Sequence, residues 1–112
     1  MSAETVFADL SSELSEAGAS EGQMFGARAL LLHGKAFACL HNDSIALKLG
    51  DGSAPHQTAL GLPGAVLWDP SGQQHPFKDW VAVPVDLNAE FEETEIGDLA
   101  PEAMAFLAAS RA

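Results

Sequence analysis

The chain has 112 residues, a length typical of one domain, and it contains no apolar run near the ~20 residues that a membrane-spanning helix needs. Its 16 acidic and 5 basic residues give a net charge of −11, which repels nucleic-acid phosphates and argues against direct binding of DNA or RNA. We therefore expect a single domain over residues 1–112, with neither a membrane nor a nucleic-acid partner.

The first segment, residues 3–17, predicts an amphipathic helix that Gly18 terminates. The apolar side chains at helical spacing are Ala3, Val6, Phe7, Leu10, Leu14 and Ala17. The same segment lacks the basic and apolar regions of a secretory signal, and a single cysteine, Cys39, agrees with a reducing compartment, so we expect a cytoplasmic protein. Residues 18–22 are typical of a short polar connector.

Residues 24–49 predict three β-strands joined by two tight turns, one containing Gly34 and the other Asp43. Because successive side chains point to opposite sides of a strand, these strands predict two faces. The assignment of residues to the faces is the same whichever pair of residues forms each turn. We expect an apolar core face that consists of Phe25, Ala27, Ala29, Leu31, Ala36, Ala38, Leu40, Ile45, Leu47 and Leu49. The opposite face, called here the mixed face, consists of Arg28, Leu30, Leu32, Phe37, Cys39, His41, Ala46 and Lys48.

The second half of the chain predicts two helices and two strands. Ser53 as N-cap, Pro55 in the first turn and Gly61 past the end predict a short helix at about residues 53–60. Strands at residues 65–68 and 78–83 flank a turn signal at 69–72, and Asp98 is expected to cap a closing helix. The expected fold is α+β, an antiparallel sheet of about five strands with flanking helices, in the order α-β-β-β-(α)-β-β-α.

Several short motifs follow one another between residues 20 and 85. They are Met24-Phe25-Gly26, Leu31, Gly34-Lys35, Phe37-Ala38, Asp43, Leu47-Lys48-Leu49, Pro70 and the run KDWVAVP at residues 78–84. This series resembles the N-terminal domain of TfoX-type competence regulators. The resemblance implies an α+β fold shared with YjbR-like proteins and secretion chaperones, which commonly bind other proteins, and it implies no shared catalytic centre. Competence regulators also carry a C-terminal domain with no counterpart here, so no role that depends on it is implied.

Possible catalytic and metal sites in the sequence are weak. Cys39 and His41 share a strand face near Arg28, an arrangement that can activate a thiolate, but side chains two apart on a strand stand ~7 Å apart and a free cysteine is usually buried. The histidines have no metal-ligand spacing, and His33, His56 and His75 fall at predicted turns or caps, where solvation is normal. We expect no catalytic residues, no metal and no cofactor.

The mixed face is the favoured site of function. Its cations Arg28 and Lys48, together with Lys78, lie beside large apolar groups and would suit an acidic peptide or a carboxylate-bearing ligand. Alternatively, the face is a self-association surface, or its cations pair with the acidic stretch 86–102. Trp68 and Trp80 are expected to be core or rim aromatics.

The leading hypothesis is therefore a non-enzymatic protein-interaction or regulatory domain that is homodimeric. The alternative is a small-ligand-binding domain or minor enzyme that uses Arg28, Cys39, His41 and Lys48. The candidate binding residues are Arg28, Leu30, Phe37, Cys39, His41 and Lys48.

Overall fold

The computed structural model of the protein describes residues 3–24, 27–41, 43–69, 77–85 and 96–110 and has an α+β architecture. In chain order the elements are α1 (Ala3–Ser15), β1 (Ser20–Met24), β2 (Ala27–Leu32), β3 (Lys35–His41), β4 (Ser44–Lys48), α2 (Ala54–Leu60), β5 (Val66–Trp68), β6 (Phe77–Pro84) and α3 (Ile96–Ser110). The described strands form one six-stranded antiparallel sheet in the order β1-β2-β3-β4-β6-β5. The predicted fold class is confirmed, with one strand more than expected.

The additional strand is β1, which occupies most of the predicted connector. It pairs with β2 along its whole length, from Ser20 opposite Leu31 to Met24 opposite Ala27. Its sequence, SEGQM, has no apolar alternation, and β1 is an edge strand with a single neighbour in the described sheet. Backbone pairing with β2 therefore forms a strand that the side-chain pattern does not indicate.

Helices α1 and α3 pack on one side of the sheet, called here the helix face, and enclose the larger hydrophobic core. The predicted stripe of α1 is buried there at Ala3, Val6, Phe7, Leu10 and Leu14. Ala17 is exposed, because α1 ends at Ser15. Gly18 follows with φ of +104°, a conformation that suits a residue without a Cβ.

The other side of the sheet, called here the tryptophan face, carries two indoles above small residues. Its buried cluster consists of Ala29, Cys39, Ala46, Trp68, Trp80 and Ala82, with Ala27, Leu31 and Ala36 packed against it. The Trp68 ring meets His41 edge-on at 5.8 Å between centroids, although β4 and β6 separate their strands. Trp68 therefore reaches across the face, and both tryptophans are buried, in agreement with the predicted core or rim position.

A β-bulge at Phe37 changes the predicted faces of β2 and β3. The hairpin turns at His33-Gly34, both with positive φ, and Leu31 lies opposite Ala36 as alternation predicts. Beyond that point Leu30 lies opposite Ala38, so that Phe37 is an extra residue. The alternation on β2 is consequently reversed relative to the rest of β3 and to β4.

Four predicted core residues and four predicted mixed-face residues lie on the side of the sheet opposite to the one expected. The expected core residues Ala27, Ala29, Leu31 and Ala36 lie on the tryptophan face, which corrects the prediction. Arg28, Leu30, Leu32 and Phe37 lie instead on the helix face, where the Arg28 guanidinium stands 5.1 Å from the centre of the Phe7 ring. Ala38, Leu40, Ile45, Leu47 and Leu49 are on the core side, as predicted, and Phe25 lies outside the described residues.

The second half of the chain follows the predicted order. Ser53 caps α2 by accepting the His56 N–H at 3.2 Å, and Gly61 ends it. Helix α3 begins at Ile96, so Asp98 lies in its first turn and is not its cap. Most of the turn signal 69–72 and residues 86–95 of the acidic stretch lie outside the described residues. No helix in the described ranges is both long and apolar enough to cross a membrane.

Candidate functional site

The six candidate binding residues do not share a surface. Leu30 and Phe37 are completely buried in the helix-face core, so the chain itself covers them. Arg28 is paired with Glu21 of β1, at 2.9 Å between Nη2 and Oε1, and this contact raises the pKa of Arg28 and lowers that of Glu21. The remaining three, Cys39, His41 and Lys48, belong to the opposite side of the sheet, and the mixed face therefore does not exist as a single surface.

Cys39 is placed for packing and not for nucleophilic chemistry. Its side chain is fully buried among alanines and tryptophans of the tryptophan face. Burial raises the pKa of the Cys39 thiol to about 11, because the thiolate would lose its solvation there. An activated cysteine requires a lowered pKa, so the environment of Cys39 argues against the hypothesis that Cys39 and His41 form an activated thiolate.

Two of the cations that the sequence put forward do come together, at the junction of β4 and β6. They line an open depression of about 380 Å³ formed by Lys48, Phe77, Lys78, Asp79 and Trp80. This lysine–aromatic depression includes Lys48 from the end of β4 and four consecutive residues from the start of β6, where Trp80 lies opposite Lys48. It is the candidate functional site.

An irregularity in β6 brings these side chains to the depression. Strand β5 pairs Leu67 with Val81 and its next residue, Trp68, with Phe77, which leaves Lys78, Asp79 and Trp80 without a β5 partner. This β6 bulge supplies three of the five lining residues. Bulges redirect side chains away from the regular alternation of a strand, which accounts for Phe77 lying at the same depression as Lys78 and Trp80.

The β6 bulge is held in place by the turn that follows β4. The carbonyl of Asp79 accepts the Leu49 N–H at 2.8 Å and the Gly50 N–H at 3.1 Å. Its carboxylate Oδ1 accepts the Asp51 N–H, also at 2.8 Å. Three hydrogen bonds thus converge on Asp79, and they fix the bulge without using the lysine side chains.

Helix α2 provides a further anchor through His56. The imidazole Nε2–H donates to the Lys78 carbonyl at 2.7 Å, and since a carbonyl can only accept, Nε2 carries the proton. His56 is 3% exposed, which corrects the expectation of a solvated histidine; His33 is exposed as expected, and His75 lies outside the described residues. The histidine therefore acts on the backbone beside the depression and leaves the Lys78 ammonium group free to face it.

Aromatic rings form the floor and part of the rim of the depression. Trp80 packs against Trp68 with 5.0 Å between ring centroids, and Phe77 meets Trp68 edge-on at 5.9 Å. Trp80 is 7% exposed whereas Phe77 is 39% exposed, so Phe77 is the ring that a ligand can touch most. The cluster is thus packed and buried below and open at one aromatic side chain, Phe77.

The charges of the depression are two ammonium groups and one carboxylate. In the part of the chain that the structure describes, neither Lys48 nor Lys78 forms an ion pair, and the Asp79 carboxylate is engaged with the Asp51 amide. This local excess of positive charge lies on a protein whose net charge is −11. Among the same described residues no group of three or more His, Cys, Asp or Glu side chains could hold a metal ion.

Sequence reasoning did not place Phe77, Asp79 and Trp80 in the site. The signal available was the tetrapeptide Phe77-Lys78-Asp79-Trp80, which puts two aromatic residues and a cation within four positions. In a regular strand Lys78 and Trp80 would share one face and Phe77 and Asp79 the other, and the bulge brings both pairs to one depression.

Comparisons of the chain with models of known protein families, with curated proteins and with solved structures found no match.

Proposed function

We propose that the protein is a non-enzymatic protein-interaction or regulatory domain, similar to the N-terminal domain of TfoX-type competence regulators, and that the lysine–aromatic depression is its contact surface. The observation that supports this proposal is the exposed Phe77 beside two lysines, Lys78 on the anchored bulge and Lys48 on the neighbouring strand β4. Contact surfaces of proteins are enriched in aromatic side chains around which charged groups give specificity.

The anchoring of the bulge favours a binding role. Hydrogen bonds from His56 and from residues 49–51 already fix the backbone of Lys78 and Asp79. A surface whose backbone is ordered before contact loses less conformational freedom when a partner binds. The depression is therefore better prepared for binding than a lysine-bearing loop of the same composition.

The alternative of a small-ligand site or minor enzyme at Arg28, Cys39, His41 and Lys48 has less support. Arg28 is engaged with Glu21, Cys39 is buried, and only Lys48 of the four lines the depression. Nucleophilic chemistry at Cys39 would also work against its raised pKa.

A homodimer is a separate hypothesis, and light scattering of the purified protein measures its mass directly. Leu30 and Phe37 cannot supply the contact, because both are buried within one copy of the chain. Substituting them with glutamate would disrupt the core, so that a change of mass in such variants would not identify an interface.

The proposal is tested by capture of partners from the native cell extract with three baits: the unaltered chain, Lys78→Glu and Lys35→Glu. Lys35 is an exposed lysine of β3 that does not line the depression, and both substitutions change the net charge equally. We expect a protein that is retained by the unaltered chain and by Lys35→Glu and is lost by Lys78→Glu. Titration of that purified protein should then show similar affinity for the unaltered chain and Lys35→Glu and weaker affinity for Lys78→Glu. A set of captured proteins that is the same for all three baits contradicts the proposal.

A further inference from the structure

We infer that the lysine–aromatic depression binds an acidic peptide segment in which carboxylates flank a large apolar side chain, an inference that rests on the proposed contact surface. Carboxylates would contact the ammonium groups of Lys48 and Lys78, and the apolar side chain would cover Phe77. The partner is thus defined by its chemistry, as an extended and negatively charged stretch of another protein.

Charge complementarity selects an acidic partner. Lys48 and Lys78 are free of ion pairs in the described part of the chain, and charge-assisted hydrogen bonds to carboxylates are among the stronger polar contacts available to them. The net charge of −11 repels an acidic segment elsewhere on the surface, yet screening limits this repulsion to within about 8 Å at physiological ionic strength. Attraction at the two lysines therefore decides where such a segment can bind.

The shape of the depression favours a peptide over a small molecule. Ligand pockets usually bury some 70–90% or more of a small ligand, whereas this depression is open to solvent and its floor, Trp80, is already packed against Trp68. An extended segment can make contacts outside the depression, including along the neighbouring edge strand β5, where Val66 is 59% exposed. A small carboxylate has no such additional surface.

The experiment uses the full chain and a capped peptide, acetyl-Glu-Asp-Phe-Glu-Glu-amide, which contains no tryptophan. The chain has two tryptophans; Trp80 lines the depression and Trp68 packs against Trp80, so indole fluorescence and the two indole N–H resonances respond to binding there. We expect a saturable change in both signals. The same peptide with every acid replaced by its amide should bind at least roughly tenfold more weakly, because it lacks the charged contacts.

Variants of the chain make the test specific. Lys48→Glu and Lys78→Glu should each weaken binding at least roughly tenfold, while Lys35→Glu should leave it within roughly twofold. Asp79→Asn should strengthen binding severalfold, because it removes the carboxylate at the depression while its Oδ1 can still accept the Asp51 N–H. A gain of affinity cannot result from misfolding, and it keeps the inference testable even where a lysine variant loses stability.

Four results would overturn the inference. They are no saturable signal with the acidic peptide, equal binding of the amide peptide, an equal loss in Lys35→Glu, and tighter binding of phenylacetate or of a single-stranded oligothymidylate than of the peptide. Phenylacetate would indicate a small-ligand site, and the oligonucleotide would indicate a nucleic-acid site. If a captured protein depends on Lys78 but no acidic peptide binds, the proposed contact surface stands and only the chemistry of the partner is wrong.

Discussion

The described strands contain two bulges, one at Phe37 in β3 and one at residues 78–80 in β6, and their surroundings differ. The β3 bulge lies in the interior of the sheet, where Phe37 is completely buried against the helices. The β6 bulge lies beside the edge strand β5 and presents its side chains to an open depression. The same departure from regular pairing therefore fills a core in one place and forms a surface in the other.

The difference lies in what surrounds each bulge. In β3 the extra residue is large and apolar and gains its stability from burial under the helices. In β6 the additional residues include a cation and an anion, and hydrogen bonds to the β4–α2 turn and to His56 hold the backbone. We therefore expect substitutions at the β3 bulge to change folding stability, and substitutions at the β6 bulge to change binding more than stability.

Replacing the two phenylalanines of these regions gives the largest contrast. Phe37→Ala should lower the free energy of unfolding by about 3–5 kcal/mol, because it leaves a cavity at a completely buried position. Phe77→Ala should cost only about 1 kcal/mol, because its side chain is 39% exposed. Chemical denaturation followed by circular dichroism measures both values.

Two controls accompany this pair. Phe37→Leu keeps most of the buried volume and should recover most of the loss, which also covers the case in which Phe37→Ala does not fold. Phe77→Ala should weaken binding of the acidic peptide, while Phe37→Leu should not. Equal losses of stability at positions 37 and 77 would contradict the separation of a core bulge from a surface bulge.

The turn that anchors the β6 bulge should show the next largest effect. Gly50 has φ of +92°, its N–H donates to Asp79, and an added Cβ would stand 2.5 Å from the Phe106 ring. Gly50→Ala should therefore cost about 2–4 kcal/mol, from backbone strain together with displacement of Phe106. Thermal or chemical denaturation measures this loss.

Gly52 is the matched control in the same turn. Its φ is +81°, and nothing lies within 4 Å of an added Cβ. Gly52→Ala should cost only the backbone strain, about 1 kcal/mol. If the two alanine variants are equally stable, Phe106 does not constrain the turn and the anchoring of the bulge is looser than the hydrogen bonds indicate.

Features controlled by local sequence were predictable. Ser53, Pro55 and Gly61 define α2 by capping and backbone preference, and the apolar stripe of α1 follows from helical spacing. The residues allow a first turn at His33-Gly34 or at Gly34-Lys35. The structure has the turn at His33-Gly34, where both residues have positive φ. These elements depend on neighbours within a few positions, which the sequence displays directly.

The faces of β2 and the candidate site depend on how neighbouring strands fit together and were not predictable. Strand β2, ARALLL, carries apolar residues at both parities, so no alternation in it indicates which side receives the helices. The bulges arise from the fit of β3 to β2 and of β6 to β5, and one extra residue reverses every face beyond it. Strand β1 was missed for the same reason, since its stability comes from pairing with β2.

Cys39 provides the smallest test, because the reversed register places it beneath the tryptophans, away from Arg28. Its folded-state pKa of about 11 lies above the value of 9.0 for a free thiol, so burial favours the protonated form. The stability associated with this proton is fully present below about pH 9 and is lost as the pH rises toward 11. The unaltered chain should thus lose stability over this range relative to Cys39→Ala. The comparison cancels the titration of the lysines, which both proteins share, and the chain has no tyrosine that would titrate in the same range.

The same burial should protect Cys39 from thiol reagents. At pH 8 a reagent should modify the folded chain at least roughly 100-fold more slowly than the unfolded chain, the factor that two pKa units give. Rapid modification of the folded protein would place Cys39 at an accessible surface and contradict the packing of the tryptophan face.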